Sequence, residues 1–445
     1  MTKLSLYLRD VTKSQIINDP DDLKCGRKFL ILINPYSGSG KAPKIFKNQI
    51  CPMLDKSGCH YDVITTCRRN GAFDYVRECP NLYDWDGIVV VSGDGLLFEV
   101  FNALMNRDDW EKAIKIPVGI IPGGSGNGLA ATIEWSSGMK NLQNVVLSCT
   151  LNLIIGDPQP IDLVKITLPD KIVYSFLSIG WGLIADIDIE SEGLRFLGQS
   201  RFTIWSIYRS LVPKTYRGVL SYLPVEYPDS SDTQKEHDSG YEITCDLVVQ
   251  SYSNAQANRG DEPNDLSPLA GTPDTCTNQS ASSRASDSSL KGSSSDYQSL
   301  DDTVNDVCNN GYLQSDADMP RMDQKVPPSW VRIEDDFIMI HTASQTHLST
   351  TVRFAPESKL ADGIIWLVYL TSKVSKKNLL QFLASLEHSG HIDLPFVNIV
   401  PVRAFRLEPL DGSGTLSIDG EAMKVTPFQA EILPSMGRIF TKTTY

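Results

Sequence analysis

The chain reads as an N-terminal doubly wound α/β domain followed by an antiparallel β-sandwich. Three observations lead there. Short apolar runs alternate with helical patterns over the first third of the chain. Beyond residue 153 the runs change to period-two alternation. The length of 445 residues exceeds that of one ordinary domain.

Residues 29–34 (FLILIN), 87–92 (GIVVVS) and 117–122 (PVGIIP) are apolar, rich in β-branched residues and bounded by Gly, Pro or Asn. Strands covered on both faces of a parallel sheet have this composition. Residues 42–54 and 96–105 carry apolar side chains at helical spacing and lie between those strands. Alternation of this kind predicts an α/β domain over residues 24–155. Period-two runs follow at 162–168, 173–177, 219–223, 337–342, 364–370, 404–409 and 414–419. They predict a sandwich over residues 156–440, interrupted by one helix near 376–386.

Hydrophobic content of 41% is enough for a packed core. The net charge of −13 is concentrated: residues 228–325 hold 18 Asp/Glu against 6 Lys/Arg. The remainder is nearly neutral, which argues against nucleic acid as a partner. Residues 251–327 are rich in Ser, Asp, Asn and Gly and poor in large apolar side chains. Such a segment is expected to be a disordered acidic insert, either a phosphorylation target or a passive loop. The first ten residues lack the apolar core of a signal peptide, and the longest apolar run, near 364–370, falls short of the ~20 residues that span a bilayer. Nine cysteines without a C-x-x-C pair read as reduced cytosolic thiols, and six histidines show no metal-binding spacing. A cytoplasmic protein with peripheral membrane association is expected; metal-ligating residues remain unassigned.

Three glycine-rich turns follow the three buried strands, at the sheet edge where open α/β domains bind ligands. Asn34-Pro35-Tyr36-Ser37-Gly38-Ser39-Gly40-Lys41 resembles a P-loop, but Pro35 stands at the first Gly position and Ala42 at the Ser/Thr position. Ser92-Gly93-Asp94-Gly95 opens a helix whose N-terminus favours phosphate. Asp94 fits a base for an attacking hydroxyl, and equally a helix cap. Pro122-Gly123-Gly124-Ser125-Gly126-Asn127-Gly128 offers backbone N–H groups for an anion nest. Together the turns suit phosphoryl transfer, which depends on positioning and charge stabilisation.

NPYSGSGK, SGDGLLFEVFNALM and PGGSGNGLAA, in this order, resemble the diacylglycerol-kinase-type catalytic domain of lipid kinases, an architecture related to that of NAD kinases and phosphofructokinases. LSIGWGLIADIDI, ESEGLRFLGQSRF, TYRGVLSYLP, PVRAFRLEP and SIDGE narrow the resemblance to sphingosine kinases. It covers nearly the whole chain apart from residues 1–24 and the insert.

The resemblance implies a nucleotide-binding α/β domain, a lipid-binding sandwich, and ATP-dependent phosphorylation of a sphingoid base with Mg²⁺. It implies Asp94 as catalytic base. Asn34, Pro35, Tyr36, Thr66, Cys67, Arg68, Arg69, Asn70, Ser92, Gly124, Ser125 and Gly126 fall at nucleotide-contacting positions. Arg195 and Arg201 match arginines that reach the ATP phosphates, though alone they read as surface arginines. Asp419, Gly420 and Glu421 match a DGE that closes on the nucleotide.

Ser92, Gly93, Asp94 and Gly95 also adjoin the substrate hydroxyl, and Asp188 matches the aspartate that receives the substrate amine. Without the family, the alternation of Asp186 and Asp188 with Ile184, Ile187 and Ile189 fits a solvent-edged strand. Leu183, Ile184, Ile187, Leu379, Leu383 and His391 are candidates for the lipid chain, or for plain core. Residues 201–217 mix aromatic, aliphatic and basic side chains and suit an anionic membrane or a calmodulin-like partner. A homodimer is left open. Tyr36 and Phe98 depart from the family pattern, and the insert has no counterpart. A ceramide or diacylglycerol kinase and a non-catalytic lipid-binding scaffold are the alternatives.

Overall fold

The computed structural model describes residues 25–137, 144–197, 200–225 and 319–442, without the side chains of 195–197. In the first layer β1 (Lys28–Ile33) lies between β2 (His60–Thr65) and β3 (Gly87–Ser92), with β4 (Val118–Pro122) beyond β3, all parallel. Every residue of β3 and β4 is buried, as the unbroken apolar runs require. The order β2-β1-β3-β4 reverses at β1, and in open α/β sheets the ligand crevice lies at the carboxyl edge beside such a reversal.

The helical stretch after the first glycine turn comprises α1 (Ala42–Ile45), a π segment (Phe46–Ile50) and α2 (Cys51–Lys56). Further helices are α3 (Gly71–Glu78), α4 (Asp94–Met105), α5 (Trp110–Ala113), α6 (Gly128–Ser136) and α7 (Val145–Ile155). One expectation is corrected here. Cys25 and Cys59 form a disulfide with Cα atoms 6.2 Å apart, so not every thiol is free. Their separation of 34 residues carries no sequence signal. They meet because one precedes β1 and the other precedes its neighbour β2.

The second layer is an antiparallel, curled sheet. It contains β5 (Asp157–Thr167), β6 (Ile172–Ser175), β7 (Ser178–Gly182), β8 (Tyr216–Pro224), β9 (Val331–Ala343), β12 (Ile365–Thr371), β13 (Asn398–Pro409), β14 (Leu416–Ile418), β15 (Glu421–Met423) and β16 (Phe428–Thr441). A small hairpin, β10 (His347–Ser349) and β11 (Val352–Arg353), stands apart. β8 pairs with both β9 and β13 and closes the curl over a core that includes Trp181, Phe337, Phe405 and Phe428.

The sequence reading missed β16. Its register shifts between Leu433 and Gly437, across Pro434, and this breaks the alternation. Its far end returns to the first layer, where Ile439 pairs in parallel with Val118. One sheet thus continues through both layers.

Two more corrections concern the second layer. Besides α10 (Lys376–Ser385) it carries α8 (Leu183–Glu190) and α9 (Ser200–Leu211), so Asp186 and Asp188 lie on a helix and not on a solvent-edged strand. Over so short a run the alternation of Asp186 and Asp188 with Ile187 and Ile189 coexists with the helical i, i+3 and i+4 spacing of Leu183, Asp186 and Ile187. Residues 319–327 of the expected insert are held: the Arg406 guanidinium donates to the carbonyls of Gln324 (2.6 Å) and Arg321 (2.8 Å), and Gln429 donates to that of Pro320 (3.0 Å). Residues 251–318 lie outside the described residues.

Candidate active site

The three glycine turns meet at the crevice. Asn34 Oδ1 accepts the Tyr36 N–H (2.9 Å) and turns the chain out of β1. This brings Ser37 to β3, where its hydroxyl accepts the Gly93 N–H (3.0 Å). A Cβ on Gly38 would lie 2.9 Å from the carbonyl carbon of Gly124, and one on Gly124 would lie 2.8 Å from the Gly93 nitrogen. The glycines are therefore dictated by backbone-to-backbone contact among the turns.

The third turn is pinned at its start. Asn127, in the left-handed region at φ 59°, folds back to accept from Gly124 N–H (3.0 Å) and donate to Gly124 O (2.9 Å). The Gly123 N–H bonds to Ser92 O (2.8 Å).

Asp94 sits where the turns converge, 9% exposed. Its carboxylate accepts the N–H groups of Gly128 (2.8 Å) and Leu129 (3.4 Å) at the N-terminus of α6. It thus caps a helix, though not the one it opens. Burial pushes its pKa above the usual range, while those N–H bonds hold it down. A Cβ on Gly126 would lie 3.2 Å from Oδ2, so one carboxylate oxygen adjoins the glycine turn.

Around this centre the structure links several of the other candidates. Glu421 pairs with Arg69 (2.6 Å), and its Oε1 would lie 2.8 Å from a Cβ on Gly95, so the DGE reaches both the TCRRN stretch and the SGDG turn. Gly420 adjoins Asp188, whose Oδ2 would lie 3.6 Å from its Cβ. Asp188 pairs with the buried guanidinium of Arg201 (3.4 Å). Thr66 is buried against the Ile33 carbonyl, Arg68 pairs with Asp74 (2.6 Å), and Cys67 and Tyr36 are exposed. The side chain of Arg195 lies outside the described residues.

Asp419 is not delivered to the crevice. Its carboxylate is consumed by the Ser175 hydroxyl (2.6 Å) and the N–H groups of Phe176, Leu177 and Ser178 (3.0, 3.0 and 2.9 Å), and burial raises its pKa to about 6. It shapes the DGE turn, with φ positive at both Asp419 and Gly420.

Sequence reasoning also missed Glu99. Its carboxylate accepts the N–H groups of Asn70 (3.1 Å), Ala72 (3.0 Å) and Phe73 (3.3 Å) and so fixes the TCRRN stretch against α4. The signal was available, because Glu99 is the one acid within the apolar helix LLFEVFNALM.

The lipid-chain candidates lie on α8 and α10. Leu183, Ile187 and Leu379 are buried, Ile184 and Leu383 half-buried. None of them belongs to either large core. His391 is fully buried, with Nε2 2.8 Å from the Phe354 carbonyl oxygen. Among the described residues no group of three or more His, Cys, Asp or Glu is placed to hold a metal ion.

Comparison with known proteins places this chain in a family. Residues 28–166 match the diacylglycerol kinase catalytic domain, and residues 331–441 match the YegS C-terminal NAD kinase beta sandwich-like domain. The chain is 33% identical to human sphingosine kinase 2 over 95% of its length and 72% of that protein's. It is 32% identical to human sphingosine kinase 1, covering 92% of this chain and 89% of that one. A fission-yeast sphingoid long chain base kinase 4 is 26% identical over 97% of this chain and 77% of its own length. A crystal structure of a diacylglycerol kinase from Bacillus anthracis shares the fold at 14% identity, with a TM-score of 0.50 over 93% of this chain and 97% of that one.

Proposed function

From the premise that this chain belongs to the sphingosine kinase family of lipid kinases, we propose that it transfers the γ-phosphoryl group of ATP to the primary hydroxyl of a sphingoid base such as sphingosine. The observation that carries this reading is the mutual contact of the three glycine turns around the buried carboxylate of Asp94. ATP lies along the crevice with its phosphates on the turns. Asp94 accepts the proton of the attacking hydroxyl; its raised pKa brings it nearer to the operating pH, which favours proton transfer. Mg²⁺ bound with the nucleotide would neutralise charge on its phosphates; among the described residues no group of three or more His, Cys, Asp or Glu is placed to hold it.

Asp188 and Arg201 hold one another in this structure. Each has another partner in the reaction: the substrate ammonium suits the carboxylate, and the triphosphate suits the guanidinium fork. Binding both substrates would exchange one internal ion pair for two intermolecular ones. A diacylglycerol or ceramide brings no ammonium, and would leave Asp188 without that cation. The apolar side chains of α8 and α10 would surround the hydrocarbon chain.

The outer face of α9 exposes Ile204, Ile207, Tyr208 and Leu211 beside Leu380 of α10, with Lys214, Lys376 and Lys377 nearby. Lys376 donates to the Leu211 carbonyl (2.8 Å) and ties the two helices together. Apolar side chains rimmed by lysines suit peripheral contact with an anionic membrane, and the same face would serve a calmodulin-like partner. No helix of the described residues is long and apolar enough to cross a membrane. The test is ³²P transfer from ATP across sphingoid bases, ceramides and diacylglycerols. The reading expects product from the bases; label on glycerolipid or ceramide alone contradicts the substrate, and no transfer to any lipid contradicts the enzyme.

A further inference from the structure

His341 of β9 stands directly opposite Gly180 of β7 and Val368 of β12. Opposed residues share a face of the sheet, and this face looks away from the sandwich core. On β12, Ile365, Leu367 and Tyr369 belong to that core, whereas Trp366, Val368 and Leu370 do not. A Cβ on Gly180 would collide with the His341 ring and would lie 3.6 Å from Cβ of Ala185. The imidazole therefore fills the space that a side chain at position 180 would take, beneath the helix that carries Asp188. The ring meets Phe354 edge-on (centroids 5.0 Å apart), Phe354 stacks on His391 (5.3 Å), and His391 meets Phe382 of α10 (5.9 Å). His341 thus belongs to the compartment assigned above to the lipid chain.

Neither ring nitrogen of His341 has a hydrogen-bond partner, although the residue is only 5% exposed. Burial lowers its pKa to about 3, so the ring is neutral at pH 7 and presents one N–H donor and one bare acceptor. Unmet polar groups in an apolar compartment are costly. A hydroxyl meets both needs, since it donates and accepts. His391 adds a second acceptor. Its Nε2 faces a carbonyl, which only accepts, so the proton is assigned to Nε2, and the buried Nδ1 is bare and unpartnered.

We propose that His341 is a specificity-determining residue that hydrogen-bonds a hydroxyl on the substrate's hydrocarbon chain, making long-chain amino alcohols with this extra hydroxyl the preferred substrates. The proposal rests on the reading of Asp188, α8 and α10 as the lipid site. Ala185 precedes Asp188 by three residues, about 4.5 Å along the helix axis, so the hydroxyl is one within a few carbons of the amine. A site built to bond a hydroxyl rejects the analogue that lacks it more strongly than an apolar pocket rejects an added one.

The experiment measures kcat/KM of the full chain for 4-hydroxysphinganine and for sphinganine, in wild type and His341→Leu. Wild type should favour the hydroxylated base by roughly ten- to a hundredfold. His341→Leu should bring the ratio to about one or below by gaining on sphinganine, with KM for ATP unchanged. Its sphinganine activity also reports that it is folded. If it does not fold, the wild-type ratio decides together with His341→Gln, which keeps a donor and an acceptor and should retain part of the preference. A wild-type ratio near one, as a structural water on the imidazole would give, overturns the proposal. So does an unchanged ratio in His341→Leu. Label on neither base but on a glycerolipid overturns the parent reading instead, which distinguishes the two failures.

Discussion

Gly124→Ala places a methyl group where the second and third glycine turns touch. The added carbon would lie 2.8 Å from the Gly93 nitrogen, closer still to the Gly93 Cα, and 3.2 Å from the Ser37 hydroxyl. Two of these neighbours are backbone and cannot rotate away, so the turns must part by about an ångström to reach ordinary contact distances. Overpacking of this kind costs about 1–3 kcal/mol of stability. If the turns position phosphate as proposed, a displacement of that size would cost about a hundredfold in turnover, or ~2.7 kcal/mol of transition-state stabilisation.

Gly124 has no positive φ, so backbone strain does not confuse the result. Gly193→Ala is the control, since nothing lies within 4 Å of its added carbon. The assay pairs steady-state kcat/KM for ATP with the thermal midpoint of each variant. We expect Gly124→Ala to melt a few degrees lower and to lose at least about a hundredfold in kcat/KM, with Gly193→Ala unchanged in both. A folded Gly124→Ala protein with near-wild-type kcat/KM would refute the claim that contact among the turns builds the phosphate site.

Three further outcomes follow from the geometry. Asp188→Asn should raise KM for sphingosine by about tenfold or more and KM for ATP much less; equal effects would remove the ammonium-binding role, as steady-state kinetics with each substrate varied will show. As the proposed base Asp94 would act only when ionised, and burial raises its pKa, so kcat/KM should fall as pH drops through a midpoint above the ordinary aspartate value of about 3.9; a pH profile flat down to pH 4 contradicts this. Ile207→Glu with Leu211→Glu should weaken binding to anionic vesicles by about tenfold or more in a sedimentation assay, while sphingosine turnover in detergent stays normal; unchanged sedimentation would relocate the membrane face.

The parts of the site that depend on local composition were legible in the sequence. The buried strands and their glycine turns announce themselves, because burial on both faces removes the polar alternation and close backbone contact requires glycine. What was not legible depends on which atoms finally meet. Asp94 was expected to cap its own helix or act as a base, yet its nearest donors belong to α6, 34 and 35 residues on. Asp419 shares the DGE turn with Glu421, but the positive φ of 50° turns its carboxylate inward to the β6–β7 connection while Glu421 reaches Arg69. Spacing alone does not distinguish the two acids. The pairing of Arg201 with Asp188 joins two motifs read separately, through the packing of α8 and α9. The end of β16 pairs with a strand more than three hundred residues earlier, and no local pattern encodes that return.

The central claim is that Asp94 deprotonates the lipid hydroxyl beside the terminal phosphate. Single-turnover phosphorylation of sphingosine by purified Asp94→Asn protein, with folding verified by its melting transition, tests it most directly. The account predicts a loss of about 10²–10⁴-fold in the chemical step with ATP binding retained. A cooperatively folded Asp94→Asn protein that turns over within a few fold of wild type would contradict it.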